Sequence, residues 1–518
     1  MSWLNSAPAG GRHRAVPRAK GWSTAVSTVS AIMMTLDITV VLVALPSIAE
    51  DLGLSLSGGQ WIINAYSLAF ASLLLSVGSL SDIIGRRTLF LIGHTIFLLA
   101  SIGCLLSDTE SMLVGMRAVQ GAGGAIVFGT CVPLLGDAFG PHERAQRTKS
   151  IGILMGLSGA ASALGPLIGG ALVEYGQWQW IFAINIPIGI FALLTTIIKI
   201  PDLHRQQRLA GVRDMPPIDI PSTLIAAGAF FTLNYAMIEG AEDNDWWNPR
   251  IVLLFALAFQ LLVILVWIQS AKRDRAMIDV RLFTIPSFAV VSFSAFAARL
   301  FSFGMMPFLV MWLSGQAGLS ALQVGYVSMA LAGPIVVFSA VGLALEKVMS
   351  RGFIQALGMF IVAIGLLLGL LLHWDSSWPD LIPSYLVIGI GTGIMMPHLM
   401  DLAVSVVPPH RTGTATGIAN TSMPLGTSFG VALYGAILSH HIHDQLGDVP
   451  DGRIIDAAEA ALFDVIGQFS PQLADTARHA FMDGLHLIFI IAAGLALIGA
   501  AACALYIREK DVYANENS

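Results

Sequence analysis

From Thr24 to Ile48 the chain is apolar apart from small hydroxyl side chains and one acid, Asp37. About 20 helical residues cross a hydrocarbon core about 30 Å thick, so this run is long enough to span a membrane. Similar runs, separated by charged or Gly/Pro-rich breaks, predict fourteen membrane helices. Their cores lie near 24–48, 60–80, 88–106, 111–136, 148–173, 179–200, 219–239, 250–270, 286–314, 321–345, 353–373, 381–406, 411–439 and 484–506. The first run follows Arg12, Arg14, Arg18 and Lys20 but is too long for a signal-peptide core, and it reads as a retained helix. Between the last two runs, Ile454, Ile455, Ala458, Ala461, Leu462, Val465, Ile466 and Phe469 recur at helical spacing. Ser470-Pro471 then offers a cap and first-turn pair for a second helix. This external segment, 440–483, is expected to lie on the membrane surface, to shade the outer mouth, or to serve as a folded connection.

Composition supports the same class. With 55% hydrophobic and 12% charged residues, against about a quarter charged in soluble chains, the protein reads as an all-α polytopic membrane protein. Alternating the loops from a cytoplasmic N-terminus puts about 22 of the 27 Lys and Arg inside, with Arg250, Arg453 and Arg478 outside and Arg117 and Arg299 within spans. That asymmetry predicts both termini in the cytoplasm. Basic breaks at Lys199–Arg213 and Lys272–Arg281 bracket one helical hairpin and leave six spans on either side, as expected of two six-helix halves. The predicted units are a tail 1–21, a bundle 22–200, a linker 201–280 with two extra transmembrane helices, a bundle 281–506 that includes loop 440–483, and a tail 507–518. Cys104, Cys131 and Cys503 stand far apart in apolar runs and suggest neither disulfide nor metal site.

Few polar groups fall inside the spans, and each is costly there. Asp37, mid-span, is the candidate for proton coupling, because a membrane-buried acid changes charge with its hydration and neighbours. Arg117 is expected to face the bundle interior and to meet Gln120, three residues on, with Gly121 allowing a helix to approach closely. Arg299 can bind an acidic neighbour or an anionic substrate group. His398 and Asp401, three apart on one helix, form a candidate second protonation site, while His94 reads as a satisfied packing residue. Arg299, Phe303, Met306, Trp312 and Met396, with Asn420, are candidate cavity residues, since soft Met side chains adapt to varied apolar ligands. At a predicted cytoplasmic boundary GSLSDIIGRR supplies Gly78, Asp82, Gly85, Arg86 and Arg87, and its paired arginines can engage a carboxylate of a neighbouring helix. In ALGPLIGG, Pro166 bends a helix while Gly165, Gly169 and Gly170 allow close contact.

Four strings occur in one order: LDxTxVxxALP at Leu36 to Pro46, GxLxDxxGRR at Gly78 to Arg87, RxxQGxG at Arg117 to Gly123, and GPxxGG at Gly165 to Gly170. WxWxFxINxPIG at Trp178 to Gly189 and GxxxGxxNTxxxxG at Gly413 to Gly426 agree with them. Together they resemble the major facilitator superfamily, and within it the fourteen-span drug:proton antiporters of the QacA/EmrB-like exporters. The chain departs from that pattern at Leu42, Ile83, Ala161 and Gln179. The resemblance implies the major facilitator fold, two six-helix bundles plus two central helices, in a bacterial cytoplasmic membrane. It also implies proton-driven export of hydrophobic, cationic drugs by alternating access, with a monomer as the working unit. The alternative cargo is an endogenous lipid, siderophore or secreted metabolite. The expected partners are the small-molecule substrate, protons and membrane lipids, with no nucleic acid. No nucleophile–base pair, metal cluster or GxxxxGK[ST] loop stands out, so neither an enzyme nor an ATP-driven pump is expected, and no cofactor or metal.

Overall fold

The computed structural model describes residues 17–139, 143–202, 219–242, 244–272, 276, 279–407, 412–446, 449 and 452–507. Among them all regular structure is helical. Most of both predicted tails and of the basic breaks lies outside the described residues. The first bundle comprises α1 (Pro17–Leu52), α2 (Leu56–Ile84), α3 (Arg86–Leu105), α4 (Glu110–Gly136), α5 (Arg144–Tyr175) and α6 (Trp180–Lys199). The linker hairpin is α7 (Ile220–Glu242) and α8 (Pro249–Lys272). The second bundle comprises α9 (Pro286–Gln316), α10 (Ala321–Leu345), α11 (Arg351–Leu371), α12 (Ile382–Ser405) and α13 (Thr412–Leu446). Two short helices, α14 (Gly452–Glu459) and α15 (Phe463–Phe469), lead to the last, α16 (Pro471–Tyr506).

Among the described residues twelve helices are long and apolar enough to cross a membrane. The other two of the fourteen expected, α2 and α13, are 29 and 35 residues long but are not among the twelve. The many Gly, Ser and Thr of α13 lower its apolarity, so the count of fourteen stays an expectation. Helix starts follow local chemistry. Ser55 caps α2, Ser320 and Gln323 form a reciprocal capping box on α10, and Ser470 accepts from Leu473 N with Pro471 in the first turn of α16.

The bundles meet along two seams, α5 against α10 and α2 against α13. Gly170 and Gly325 seat the first. A side chain at Gly170 would run into the Ala321 carbonyl, and a Cβ at Gly325 would lie 2.7 Å from the Pro166 carbonyl. With lipid no less apolar than Leu, such backbone approach is what holds helices together in a membrane. The second seam is covered by α7, whose Thr223 bonds Ser76 of α2 and whose Asn234 accepts from Ser428 of α13 at 3.0 Å. Trp61 of α2 packs at 5.4 Å from the Phe231 ring and 5.9 Å from that of Tyr235. The outer member of the hairpin, α8, is largely exposed and apolar, as a lipid-facing helix should be.

Three features depart from the sequence pattern. Helix α9 is not continuous: wide π turns occupy Leu300–Gly304 and Trp312–Gln316. Pro307 lies just beyond the first and has no N–H to return to Phe303. The apolar spacing through 454–469 reads as one helix, but Ala461 adopts φ +57°, and Leu462 N closes on the Ala457 carbonyl at 2.8 Å to end α14. Its place is fixed by Gly315, which leaves room for the Ala461 backbone. The helix begun at Ser470-Pro471 runs unbroken into the last span, so the irregular part of the segment expected outside is shorter than 440–483.

Candidate functional site

Asp37 has no exposed surface. Its Oδ2 lies 2.7 Å from Arg117 Nη1, and its Oδ1 accepts from Gln120 Nε2 at 2.8 Å and Asn185 Nδ2 at 2.7 Å. Arg117, 2% exposed, also donates to Gln120 Oε1 at 2.7 Å and through Nε to the Ile62 carbonyl at 3.2 Å. Its guanidinium lies 4.3 Å from the centre of the Tyr66 ring. Separating two charges from water is repaid only when geometry and hydrogen bonds are nearly complete, and here three donors occupy the two carboxylate oxygens. The Arg117–Gln120 contact expected at i+3 is present. Asn185 and Tyr66 escaped the sequence reading; the signal for Asn185 was its place in WxWxFxINxPIG. Gly121, as expected, lets α2 come close: a side chain there would strike the Tyr66 carbonyl.

Two residues before Asp37, Thr35 faces the other way, into a cavity of about 240 Å³ between the bundles. Its walls include Phe128 and Pro166 from the first bundle and Arg299, Phe303, Met306 and Met396 from the second. Four of the expected cavity residues therefore meet in one space. Trp312, with 0% exposure, and Asn420 of α13 do not border it. Gly165 and Gly169 of the GPxxGG string seat α1, facing Thr39 and Val40, while Gly170 closes the α5–α10 seam. Beyond Pro166 in the opposite direction the helices diverge: Gly152, Gly156 and Gly159 on one face of α5 have no atom within 4 Å of where a Cβ would stand. The cavity is thus sealed at one end and open toward the other. A second space of about 310 Å³ lies at the sealed end, bordered by Pro46, Gln60, Phe308 and Met311, with Ala460 and Leu462 of the segment between α13 and α16 over it.

At the open end, the GSLSDIIGRR turn is made by Gly85 at φ +99°, a conformation suited to glycine. Arg86 pairs with Asp137 at the end of α4, and Arg87 donates to the Ile197 carbonyl at 3.0 Å at the end of α6. Gly78 and Asp82 lie in the last turns of α2, where side-chain surroundings fall outside the described residues. His398 and Asp401 have separate partners. His398 is buried, with Nδ1 3.1 Å from Glu346 Oε1 and Nε2 bonded to the Gly342 carbonyl at 3.0 Å. Asp401, 54% exposed, binds Arg351 Nη1 at 2.7 Å. Three residues apart, the two side chains diverge enough for one to face α10 and the other the helix end. His94 bonds Ser30 at 2.9 Å and the Phe90 carbonyl at 3.0 Å, a satisfied packing residue.

The profile of the Major Facilitator Superfamily matches residues 28–431. The chain belongs to the major facilitator superfamily. Its relatives include the tetracenomycin C resistance and export protein of Streptomyces glaucescens, 29% identical, covering 95% of this chain and 93% of that one. The multidrug efflux pump LfrA of Mycolicibacterium smegmatis is 30% identical over 94% of this chain and 97% of its own. The puromycin resistance protein pur8 of Streptomyces alboniger is 31% identical over 80% and 81%. Among solved structures, an inward-facing, occupied bacterial homolog of the human lysosomal transporter Spinster superposes with a TM-score of 0.66 at 15% identity, over 96% of this chain and all of that one.

Major facilitator proteins are membrane transporters, not enzymes, so the buried ion pair is not a catalytic dyad. The superfamily's two-bundle architecture also explains an echo that the sequence reading did not find. Arg351 opens α11 and pairs with Asp401 near the end of α12, as Arg86 opens α3 and pairs with Asp137 just past α4. Around Arg351 the chain has Ser350 where the first string has Gly85, and Gly352 where it has Arg87, so the pattern is not recognisable there.

Proposed function

We propose that this protein exports hydrophobic drug-like compounds across the bacterial cytoplasmic membrane, exchanging them for protons by alternating access. The observation that carries the proposal is the cavity walled by both bundles, closed at the Gly170–Gly325 seam and, toward the other end of α5, with nothing within 4 Å of where a side chain would start at Gly152, Gly156 or Gly159. With both termini cytoplasmic, the open end faces the cytoplasm and the cavity stands ready to load. The relatives' names, which speak of efflux and of resistance to tetracenomycin C and puromycin, support the cargo class. Asp37 is the coupling acid: protonating it removes the charge that holds Arg117, loosening α1 against α4 and α6 where α1 also meets the α5 glycines. No ATP is needed, and one chain holds the full cavity. A second cargo class, an endogenous lipid, siderophore or secreted metabolite, would use the same route and is favoured by Arg299.

The test is the internal pH of proteoliposomes under an imposed proton gradient, with tetracenomycin C, puromycin and methylenomycin A added in turn. Wild type is expected to show compound-dependent proton movement for at least one of them, and Asp37→Asn to abolish it. Proton movement that persists in Asp37→Asn removes that residue's role; none in wild type removes the antiporter.

A further inference from the structure

Among the described residues lining the central cavity, one carries a charge, and it is a cation. Arg299 ends the first segment of α9, immediately before the π turn Leu300–Gly304. Its guanidinium lies 4.4 Å from the centre of the Phe303 ring, and its Nε is buried without a hydrogen-bond partner. No carboxylate pairs with it among the described residues. Of the two partners open to it in the sequence, an acidic neighbour or an anionic ligand, no described residue supplies the first. The hydroxyls of Thr35, Ser158, Ser302 and Ser328 each donate to a carbonyl one turn back in their own helix. Their protons are engaged, whereas no hydrogen bond holds the hydroxyls of Ser162 and Thr392, and the guanidinium is the one charged donor among the described lining residues. The acid that would serve a cation points elsewhere: Asp37 is about 200° round the helix from Thr35, enclosed by Arg117, Gln120 and Asn185.

Resting on the exporter reading, we infer that the cavity selects amphiphilic anions, flat apolar bodies bearing a carboxylate or sulfonate, in place of the cations expected from family resemblance. The headgroup takes the free guanidinium edge, a charge-assisted contact strengthened by the low dielectric. The body lies along Phe303, Met306 and Met396. A cation in the same place meets Arg299 with no described carboxylate to offset the repulsion.

The test uses inverted vesicles, acid inside, and two probes of one ring system with permanent opposite charges: 2-naphthalenesulfonate and 2-naphthyltrimethylammonium. Wild type is expected to take up the sulfonate at least about tenfold more efficiently than the ammonium. Arg299→Gln is expected to raise the sulfonate KM about tenfold or more and to narrow that preference, while Arg299→Lys, charged but without the planar fork, falls between. The wild-type comparison needs no variant, so it stands even if Arg299→Gln folds poorly. Preference for the ammonium, or a sulfonate KM unchanged in folded Arg299→Gln, overturns the inference and leaves the exporter reading intact. Uptake of neither probe also overturns it, and the exporter reading then rests on the proton-movement experiment with the three antibiotics.

Discussion

Replacing Asp37 by Asn leaves the Arg117 guanidinium buried beside a neutral amide, and removing one partner of a buried ion pair typically costs about 3–5 kcal/mol. Thermal unfolding in detergent should show that loss for Asp37→Asn, and a smaller one for the double variant Asp37→Asn with Arg117→Gln, which removes both charges. Equal losses in the two would mean that the Arg117 charge carries no penalty when it is left buried without its partner. At this scale the sequence was half legible. It showed that Asp37 and Arg117 were expensive in a membrane and that Gln120 lay on the face of Arg117. It did not show that the two charges neutralise each other across 80 positions, because patterning reports which groups need a partner and only tertiary packing decides which one they find.

Helices were the most legible elements, since the length of an apolar run is itself the membrane constraint. The first π turn of α9 and the break at Ala461 were hidden, because apolar spacing registers neither the donor missing at Pro307 nor the room left by Gly315. The break brings Glu459 against Ser439 of α13, with His443 3.7 Å away. Burial pushes the Glu459 carboxyl up to about 7, and nearby Asp456 and Glu242 add to the rise, while the Ser439 hydroxyl works against it. An acid raised in the folded state stabilises most below its unfolded value near 4.5, and that contribution is lost as pH climbs through about 7. The full shift corresponds to about 3 kcal/mol. Hydrogen exchange of the α14 amides, corrected for its intrinsic pH dependence, should therefore lose protection between pH 5 and 8 in wild type and stay level in Glu459→Gln. The same slope in both would assign the effect to another group.

For the whole molecule, the two seams are built differently. The α2–α13 seam is covered by α7, which holds both bundles, whereas the α5–α10 seam is closed by backbone contact at Gly170 and Gly325. Gly170→Leu should wedge that seam open, widening the distance between spin labels at the nearby ends of α5 and α10, and should reduce transport by about tenfold or more, since a side chain there has no space to enter without moving backbone. An unchanged distance would mean that the seam is not the closing surface. The two-bundle plan was legible from span count and ordered strings, but which seam seals and which is bridged depends on contacts between halves. The enclosure of Asp37 on the far side of α1 from the cavity has one more consequence. If it is the coupling acid, proton and cargo occupy separate rooms and can be held together. Acidity then governs how often the transporter turns over, not how tightly it grips its load, and a proton bound without cargo opens a route for slippage that a shared site would deny.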